Sequence, residues 1–318
     1  MVTKERDIIQ CVLEHKCPPR FPVNGIQLDF VPWEHSHEPQ GGYDWFGVHW
    51  TKEKDGTQVV TQGFKRLNDI SEWKEKDIMP KLNLYDWEEH AKSVTSVWDR
   101  ENYFQMIKVQ SGHFERLYSI VGFEDALISF YESEEDVMEF FEALTQTKLE
   151  IINRVKKYYN PDVYSQHDDW GTNLNMFFKP DMWRKFIKPH VMRLVDECHK
   201  LGMYYEQHTC GHVTPVIQDL VEIGVDMVEI QSCNDLEYIK ENFGDKLILR
   251  GCFNGQIISR PDVGVEEARK SVRYTMEVCG KNGGFLPSVV WGIKDPLVLE
   301  AVKDEMSKCE MELCIGSI

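Results

Sequence analysis

The sequence lacks the features of a membrane protein, a secreted protein or a nucleic-acid-binding protein. No apolar run approaches the roughly 20 residues that cross a bilayer, and the first 15 residues are too charged for a signal peptide. The nine cysteines are irregularly spaced without a C-x-x-C pair, which argues against a disulfide framework. Against 53 acidic residues stand only 36 lysines and arginines, and the formal charge of −17 disfavours contact with phosphates. We therefore expect a cytoplasmic protein with reduced thiols that binds small molecules or another protein.

The chain also has no internal repeat, no low-complexity segment and no Pro/Gly/Ser-rich linker. A G-x-G-x-x-G fingerprint for a dinucleotide is absent as well. What is present is enough apolar material for a large core, because 42% of the 318 residues are hydrophobic. A single domain over residues 1–318 is the expectation.

The second half of the sequence alternates between strand-like and helix-like segments. Such alternation predicts parallel βαβ units, and five of them in about 160 residues favour a (β/α)₈ TIM barrel over a Rossmann fold. The predicted strands are 163–166, 204–209, 227–231, 247–251 and 284–290, and the predicted helices are 180–201, 213–223, 235–242, 265–279 and 296–308.

The most informative motif follows one of these strands, in the sequence Gln207-His208-Thr209-Cys210-Gly211-His212. Side chains alternate between the faces of a strand, so His208 and Cys210 point the same way and could bind one metal ion. An imidazole with a thiolate favours zinc. The alternative is a histidine and a cysteine that only fill a core.

Other candidate functional side chains also fall at predicted strand ends. Barrel enzymes place their chemistry there, so these side chains are expected to converge on one site. They are Asp168, Asp169, Gln231, Cys233, Cys252, Asn254 and Trp291.

The chain resembles the uroporphyrinogen decarboxylase superfamily over most of its length. The resemblance rests on Asp168-Asp169-x-Gly171, on Lys179-Pro-Asp-Met-Trp183, on the His208 to His212 motif, on Ile223-Gly-Val-Asp226 and on residues 283–292. It implies a first barrel strand within 21–31, a small insertion at 47–61 and extra helices, including a segment at 112–132. The H-x-C-G pattern is similar to that of cobalamin-linked methyltransferases, whereas true decarboxylases lack it.

The resemblance implies a zinc site, but one ligand of the relatives is missing. Where they have a further cysteine this chain has Trp291, and where distant methionine synthases have a glutamate it has Gln231. The nearest replacement is Cys252, which gives a predicted metal set of His208, Cys210 and Cys252. Cys233 and Glu206 are the other candidates for the third ligand, and Cys252 could instead be a small packing residue.

The other predicted site residues are catalytic or substrate-binding, and they rest on the family resemblance and on the residue types at these positions. We expect Asp168, Asp169 and Gln231 to orient the substrate or support catalysis. Trp33, Trp45 and Trp291 are expected to bind substrate, because aromatic walls suit a flat molecule, and Asn254 is expected to bind it from a strand end. Ordinary packing of loops over the barrel is the alternative for the tryptophans.

The resemblance implies a zinc-dependent methyltransferase that moves a methyl group between a small methylated compound and a corrinoid (cobalamin), and an aryl methyl ether is the favoured compound. A separate corrinoid-binding protein would carry the cobalt, and the enzyme itself would be a monomer or homodimer. One alternative is a metal-free decarboxylase, but only Arg20 in residues 17–22 is available for a polycarboxylate substrate. The other is a non-catalytic barrel that binds a corrinoid or tetrapyrrole.

Overall fold

A computed structural model describes residues 4–22, 25–31, 41–54, 56–288 and 292–315, with side chains described up to residue 309. The strands are β1 (Ile26–Phe30), β2 (Gly41–Tyr43), β3 (His49–Lys52), β4 (Gln58–Val60), β5 (Phe104–Val109), β6 (Val163–His167), β7 (Tyr204–His208), β8 (Met227–Ile230), β9 (Ile248–Gly251) and β10 (Phe285–Leu286). The α-helices are α1 (Glu5–Leu13), α2 (Trp87–Thr95), α3 (His113–Val121), α4 (Phe123–Glu132), α5 (Glu134–Tyr158), α6 (Pro180–Phe186), α7 (Lys188–Lys200), α8 (Ile217–Glu222), α9 (Leu236–Phe243), α10 (Gly255–Ile258), α11 (Val265–Gly280) and α12 (Pro296–Ile315). Short 3₁₀ helices span Ile70–Trp73, Leu82–Leu84 and Thr214–Val216.

Seven parallel strands form one sheet in the order β1-β5-β6-β7-β8-β9-β10. Alternate residues of these strands point to a common interior, where Leu28, Met106, Met227 and Leu286 belong to one apolar cluster. Strands from both ends of the sheet contribute to that cluster, so the sheet curls around it. Helix α1 adds Ile9 and Val12 to the same cluster at the amino-terminal end of the strands. The TIM-barrel prediction is confirmed.

The opposite face of the sheet packs against the surrounding helices. Ile107, Tyr164, Val228 and Leu249 belong to this outer core, which is separate from the interior cluster. The predicted helix 180–201 is interrupted at Ile187, because proline in the first turn of α7 cannot continue the hydrogen-bond ladder of α6. Among the helices within the described residues, none combines the length and apolarity needed to cross a membrane.

The insertion predicted at 47–61 is part of a small antiparallel sheet, β2-β3-β4. A fully buried ion pair fixes it to the barrel: Arg116 of α3 donates to Asp44 at 2.5 Å. The Asp44 carboxylate also accepts the backbone N–H groups of Phe46 and Val48 and the indole N–H of Trp50. The turn between β2 and β3 is therefore organised around one buried carboxylate.

Two stacked histidines, His113 and His190, share the hydroxyl of Thr145 in the outer layer. Burial, helped by the nearby Arg193, lowers the pKa of His190 to about 4, and burial also lowers the pKa of His113. Both rings are therefore neutral in the folded protein at neutral pH, whereas the unfolded chain protonates them near pH 6.5.

This pair is expected to make the protein less stable as the pH falls from about 6.5 towards 4. The unfolded state binds more protons in that window, so each histidine lowers the free energy of unfolding by up to about 1.4 kcal/mol per pH unit. Urea unfolding at several pH values should show a shallower pH dependence for His190→Gln than for the wild type. Parallel curves for the two proteins would contradict this account.

Candidate functional site

The site is built on the aligned ends of four neighbouring strands. His167 of β6 pairs in register with His208 of β7, His208 with Glu229 of β8, and Glu229 with Arg250 of β9. All four side chains line cavities inside the barrel. The carboxyl ends of parallel strands therefore bring two imidazoles, a carboxylate and a guanidinium to one level, where barrel enzymes hold their catalytic groups.

Two of these residues form a metal-capable group with Asp169. Among the described residues, His167, Asp169 and His208 make up the group of three donors whose ligand atoms all lie within 4.8 Å of one another. Asp169 Oδ1 is 3.8 Å from His167 Nε2 and 3.9 Å from His208 Nε2. Cys210 Sγ lies 3.7 Å from His208 Nε2. The group thus presents nitrogen and oxygen donors, and the sulfur of Cys210, which is not one of the three, lies beside His208.

Each histidine is held through its other ring nitrogen by a carboxylate. His167 Nδ1 is 2.8 Å from Glu115 of α3, and His208 Nδ1 is 2.5 Å from Glu229. The two rings stack with centroids 4.2 Å apart and only 13° between their planes. A carboxylate on Nδ1 keeps the proton there and directs Nε2 to the other side, which is the usual support of a metal-binding histidine.

The electrostatics of the three side chains differ. Burial opposes protonation of His167, but the carboxylates of Glu115 and Asp169 outweigh it and raise its pKa to about 9. Burial lowers the pKa of His208, and the neighbouring His167 adds to that effect. Burial and the proximity of Asp169 raise the pKa of the Cys210 thiol. The carboxylates around His167 therefore stabilise positive charge on that ring, whereas the lowered pKa of His208 favours the neutral imidazole that a metal cation requires.

A buried charge network lies directly beneath the histidines. Lys108 donates to Glu229 at 2.6 Å, and Arg250 pairs with both Glu229 and Glu206. Ser165 donates to Glu206 at 2.7 Å. The charges of Arg250, His208 and Lys108 outweigh burial and hold the pKa of Glu229 well below its usual range. Glu229 is therefore an ionised acceptor for His208.

Asp168 points away from the metal-capable group. Its carboxylate accepts the backbone N–H groups of His113, Phe114 and Glu115, so it caps the first turn of α3. Burial and the charge of Glu115 raise the pKa of Asp168 to about 7. These contacts favour a positioning role, and its predicted catalytic role stays a prediction.

The predicted third ligand, Cys252, lies on the wall of the mouth cavity but outside the metal-capable group. Its thiol donates to the backbone carbonyl of Arg250 and interacts with Cys279 of α11, and this pairing together with burial raises its pKa. Of the other candidates, Cys233 lines the same cavity, and Glu206 is occupied by its pairs with Arg250 and Ser165.

The predicted amide residues lie at the mouth. Gln231 accepts the backbone N–H of Gly211 at 2.9 Å and so supports the loop that carries Cys210. Asn254 caps α10 by accepting the N–H of Ile257. Both amides line the mouth cavity, and their predicted roles stay predictions.

The predicted aromatic residues are placed less favourably for binding substrate than the two amides are. Trp45 is buried and packs against Tyr85 and Trp87, with ring centroids 5.3 and 5.7 Å away, and does not line either cavity beside the histidines. This position favours the packing alternative. Trp33 and Trp291 lie outside the described residues, so their predicted roles stay predictions.

Two cavities meet beside His208. The mouth cavity has a volume of about 670 Å³, and its polar side chains are mainly neutral amides and hydroxyls: Asn173, Gln231, Ser232, Asn254, Gln256, Ser259 and Ser288. The inner cavity has a volume of about 440 Å³ and combines the charged side chains of Lys108, Glu229 and Arg250 with apolar side chains, among them Ile26, Leu28, Phe30 and Leu286. His208, Glu229 and Ser288 line both.

The loop after β7 depends on glycine at position 211. Gly211 has φ +88°, and a Cβ there would lie 2.2 Å from the backbone of Gly171. We expect Gly211→Ala to cost about 3 kcal/mol or more, because left-handed strain adds to a backbone clash. Gly202→Ala is a matched control, since Gly202 has φ +69° with no atom within 4 Å of that Cβ. Equal losses of unfolding free energy in the two variants would refute the close-approach argument.

The main residues that the sequence reasoning missed are His167, Glu115 and Glu229. His167-x-Asp169 repeats the spacing of His208-x-Cys210 on the neighbouring strand, so alternation along β6 could have found His167. Glu229 precedes Gln231 by two residues and shares its face. Glu115 comes from a helix more than 50 residues before His167, and no local pattern indicates that contact.

Comparisons with known proteins found a family profile and solved structures that are similar to this chain. The sequence profile described as uroporphyrinogen decarboxylase (URO-D) matches residues 44–300. The solved structure of a methyltransferase from Methanosarcina mazei is similar in fold, with a TM-score of 0.65, 15% identity, and 88% of this chain and 79% of that chain covered. A chitinase from Ostrinia furnacalis is more remote, at a TM-score of 0.38, 10% identity and coverage of 80% and 88% respectively. No curated protein sequence matches the chain.

Proposed function

Because the chain belongs to the uroporphyrinogen decarboxylase family, we propose that it is a zinc-dependent methyltransferase acting with a corrinoid protein. Its reaction would move a methyl group between a small methylated compound and the cobalt of a corrinoid held by the partner. The observation that carries this proposal is the cluster of metal donors at the junction of two cavities. The fold that it shares with a methyltransferase from Methanosarcina mazei is consistent with it.

The donor chemistry fits zinc. Imidazole nitrogen, thiolate sulfur and carboxylate oxygen are its usual ligands, and His208 and Cys210 are the pair at 3.7 Å that the H-x-C spacing predicts. Bound zinc would supply a Lewis acid for the oxygen or sulfur that carries the methyl group. The protein's own contribution is to fix His208 through Glu229 and to hold the charged layer of Lys108 and Arg250 beneath it.

The two cavities differ in polarity and size, as binding of a corrinoid and of a small methylated compound would require. A corrinoid has a rim of neutral amide side chains, and the mouth cavity offers mainly neutral amides and hydroxyls as partners for them. The inner cavity is smaller and partly apolar, which suits a compact methylated compound. His208 lines both, so the two reactants would meet beside it.

In the demethylation direction, methyl transfer needs only the methyl donor, Co(I) corrinoid and a proton from water. The C–O or C–S bond of the methyl donor breaks, and its electron pair stays on the heteroatom. The electron pair of Co(I) forms the new Co–C bond, and cobalt becomes formally Co(III). The released oxygen or sulfur anion then takes a proton from water.

The decarboxylase alternative is less well supported by the charges in the barrel. Its substrate would need free cations, but Lys108 and Arg250 are already paired with Glu229 and Glu206. A non-catalytic corrinoid-binding barrel would have no use for a carboxylate behind each of two stacked histidines. We therefore favour methyl transfer.

The proposal is tested by mixing zinc-loaded protein with Co(I) cobalamin and 2-methoxyphenol and following methylcobalamin by its absorption spectrum. Wild-type protein should form methylcobalamin, and Cys210→Ser should be slower by about 100-fold or more, because a Lewis acid contributes several kcal/mol. Cys17→Ser is the matched control, since Cys17 is exposed. Equal rates for wild type and Cys210→Ser, or no methylation from any ether or thioether donor, would refute the proposal.

A further inference from the structure

Strand β6 brings two donors to His208 that the H-x-C motif does not include. Asp169 Oδ1 lies 3.9 Å from His208 Nε2, and His167 Nε2 lies 3.8 Å from the same oxygen. Asp169 also accepts the backbone N–H of Cys210 at 2.6 Å, so the loops after β6 and β7 are fastened together at the site. These donors are in place because β6 and β7 pair with His167 opposite His208.

The orientation of both imidazoles suits a metal. Glu115 and Glu229 each engage an Nδ1 atom, which leaves the two Nε2 atoms facing Asp169. Cys252 has no comparable arrangement, because its thiol donates to the backbone carbonyl of Arg250. The geometry therefore favours β6 over β9 as the source of further donors.

We infer that zinc is held by His167, Asp169, His208 and Cys210, with no part played by Cys252, and that the methyl donor is therefore an oxygen compound. The assignment of ligands deepens the proposed function, and the choice of methyl donor rests on it. A set with two nitrogens, one oxygen and a single sulfur is harder than a set dominated by thiolates. A zinc ion with hard ligands favours an oxygen atom of the methyl donor, whereas a zinc ion with thiolate ligands favours a softer atom such as sulfur.

Zinc binding tests the ligand assignment independently of catalysis. The proteins to compare are wild type, His167→Gln, Asp169→Asn and Cys252→Ser, with zinc affinity measured by competition against a chromophoric chelator. Asp169→Asn keeps an oxygen that can accept the N–H of Cys210 while removing the charge. We expect His167→Gln and Asp169→Asn to bind zinc at least about 10- to 100-fold more weakly, and Cys252→Ser to match the wild type.

Circular dichroism and thermal unfolding of each zinc-free protein establish that the variants are folded. Substitution by Co²⁺ gives a second readout, because the visible spectrum of the bound ion changes when a nitrogen or oxygen ligand is lost. The spectrum of Cys252→Ser should be that of the wild type. Loss of zinc in Cys252→Ser, with wild-type affinity in both β6 variants, would overturn the assignment.

A matched pair of methyl donors tests the choice of heteroatom: 2-methoxyphenol and 2-(methylthio)phenol, each with Co(I) cobalamin. The oxygen compound should react at least about 10-fold faster, and faster reaction of the thioether would overturn this part. The outcomes separate the two proposals. Methyl transfer without the predicted zinc losses refutes only the ligand assignment, whereas the predicted losses without methylation from any ether or thioether donor refute the proposed function.

Discussion

Replacement of Glu229 by alanine is expected to lower the free energy of unfolding by about 3–5 kcal/mol. Glu229 accepts from Lys108, Arg250 and His208 at the centre of the barrel, so its loss leaves buried cations without their main counter-charge. Glu206 still pairs with Arg250 but not with Lys108. Urea unfolding of the zinc-free proteins measures the effect.

The same substitution should weaken zinc binding by about 10- to 100-fold, because His208 loses the carboxylate that orients its ring. Glu222→Gln is the control, since Glu222 forms an exposed pair with Lys188 and its removal should cost under about 1 kcal/mol. Similar losses in Glu229→Ala and Glu222→Gln would mean that the buried network contributes no more than a surface pair.

Asp44→Ala is the second substitution with a large expected effect, also about 3–5 kcal/mol. Arg116 cannot lose its charge, and its guanidinium is fully buried with Phe46 stacked on it at 4.1 Å. Without Asp44 this charge is unpaired. The backbone N–H groups of Phe46 and Val48 and the indole N–H of Trp50 also lose the carboxylate that accepts all three. Denaturant unfolding measures the loss.

A double variant separates these two effects. Asp44→Ala with Arg116→Met removes both charges, and replacing a buried ion pair by apolar groups is often close to neutral. The double variant should therefore be more stable than Asp44→Ala alone, with a coupling energy on the order of 1–3 kcal/mol. If the two losses are simply additive, the ion pair does not explain the cost of removing Asp44.

The alternation of strands and helices in the second half was enough to predict the barrel, because buried parallel strands and amphipathic helices differ in periodicity. Boundaries were less well determined. The prediction missed the break at Ile187, although Pro189 indicates it, and it extended the last strand beyond Phe285–Leu286, the part that the structure describes as a strand. The antiparallel sheet of the insertion depends on the distant contact between Asp44 and Arg116, which no local pattern reveals.

The candidate site was partly predictable for the same reason. Placing His208, Cys210 and Asp169 near one another required only strand alternation and parallel pairing. The prediction of Cys252 rests on its position at a strand end, which does not determine where its thiol points. Asp168 and Asp169 are adjacent and so face opposite ways, and the structure turns Asp169 towards the histidines and Asp168 towards α3.

We expect zinc to have one sulfur ligand among nitrogen and oxygen ligands, and X-ray absorption at the zinc K edge measures this directly. Zinc-loaded wild-type protein should show a majority of nitrogen and oxygen neighbours at about 2.0–2.1 Å and one sulfur at about 2.3 Å. Cys252→Ser should give the same spectrum, and Cys210→Ser should lose the sulfur. Two sulfur neighbours in the wild type, or failure of the protein to bind zinc, would contradict the account.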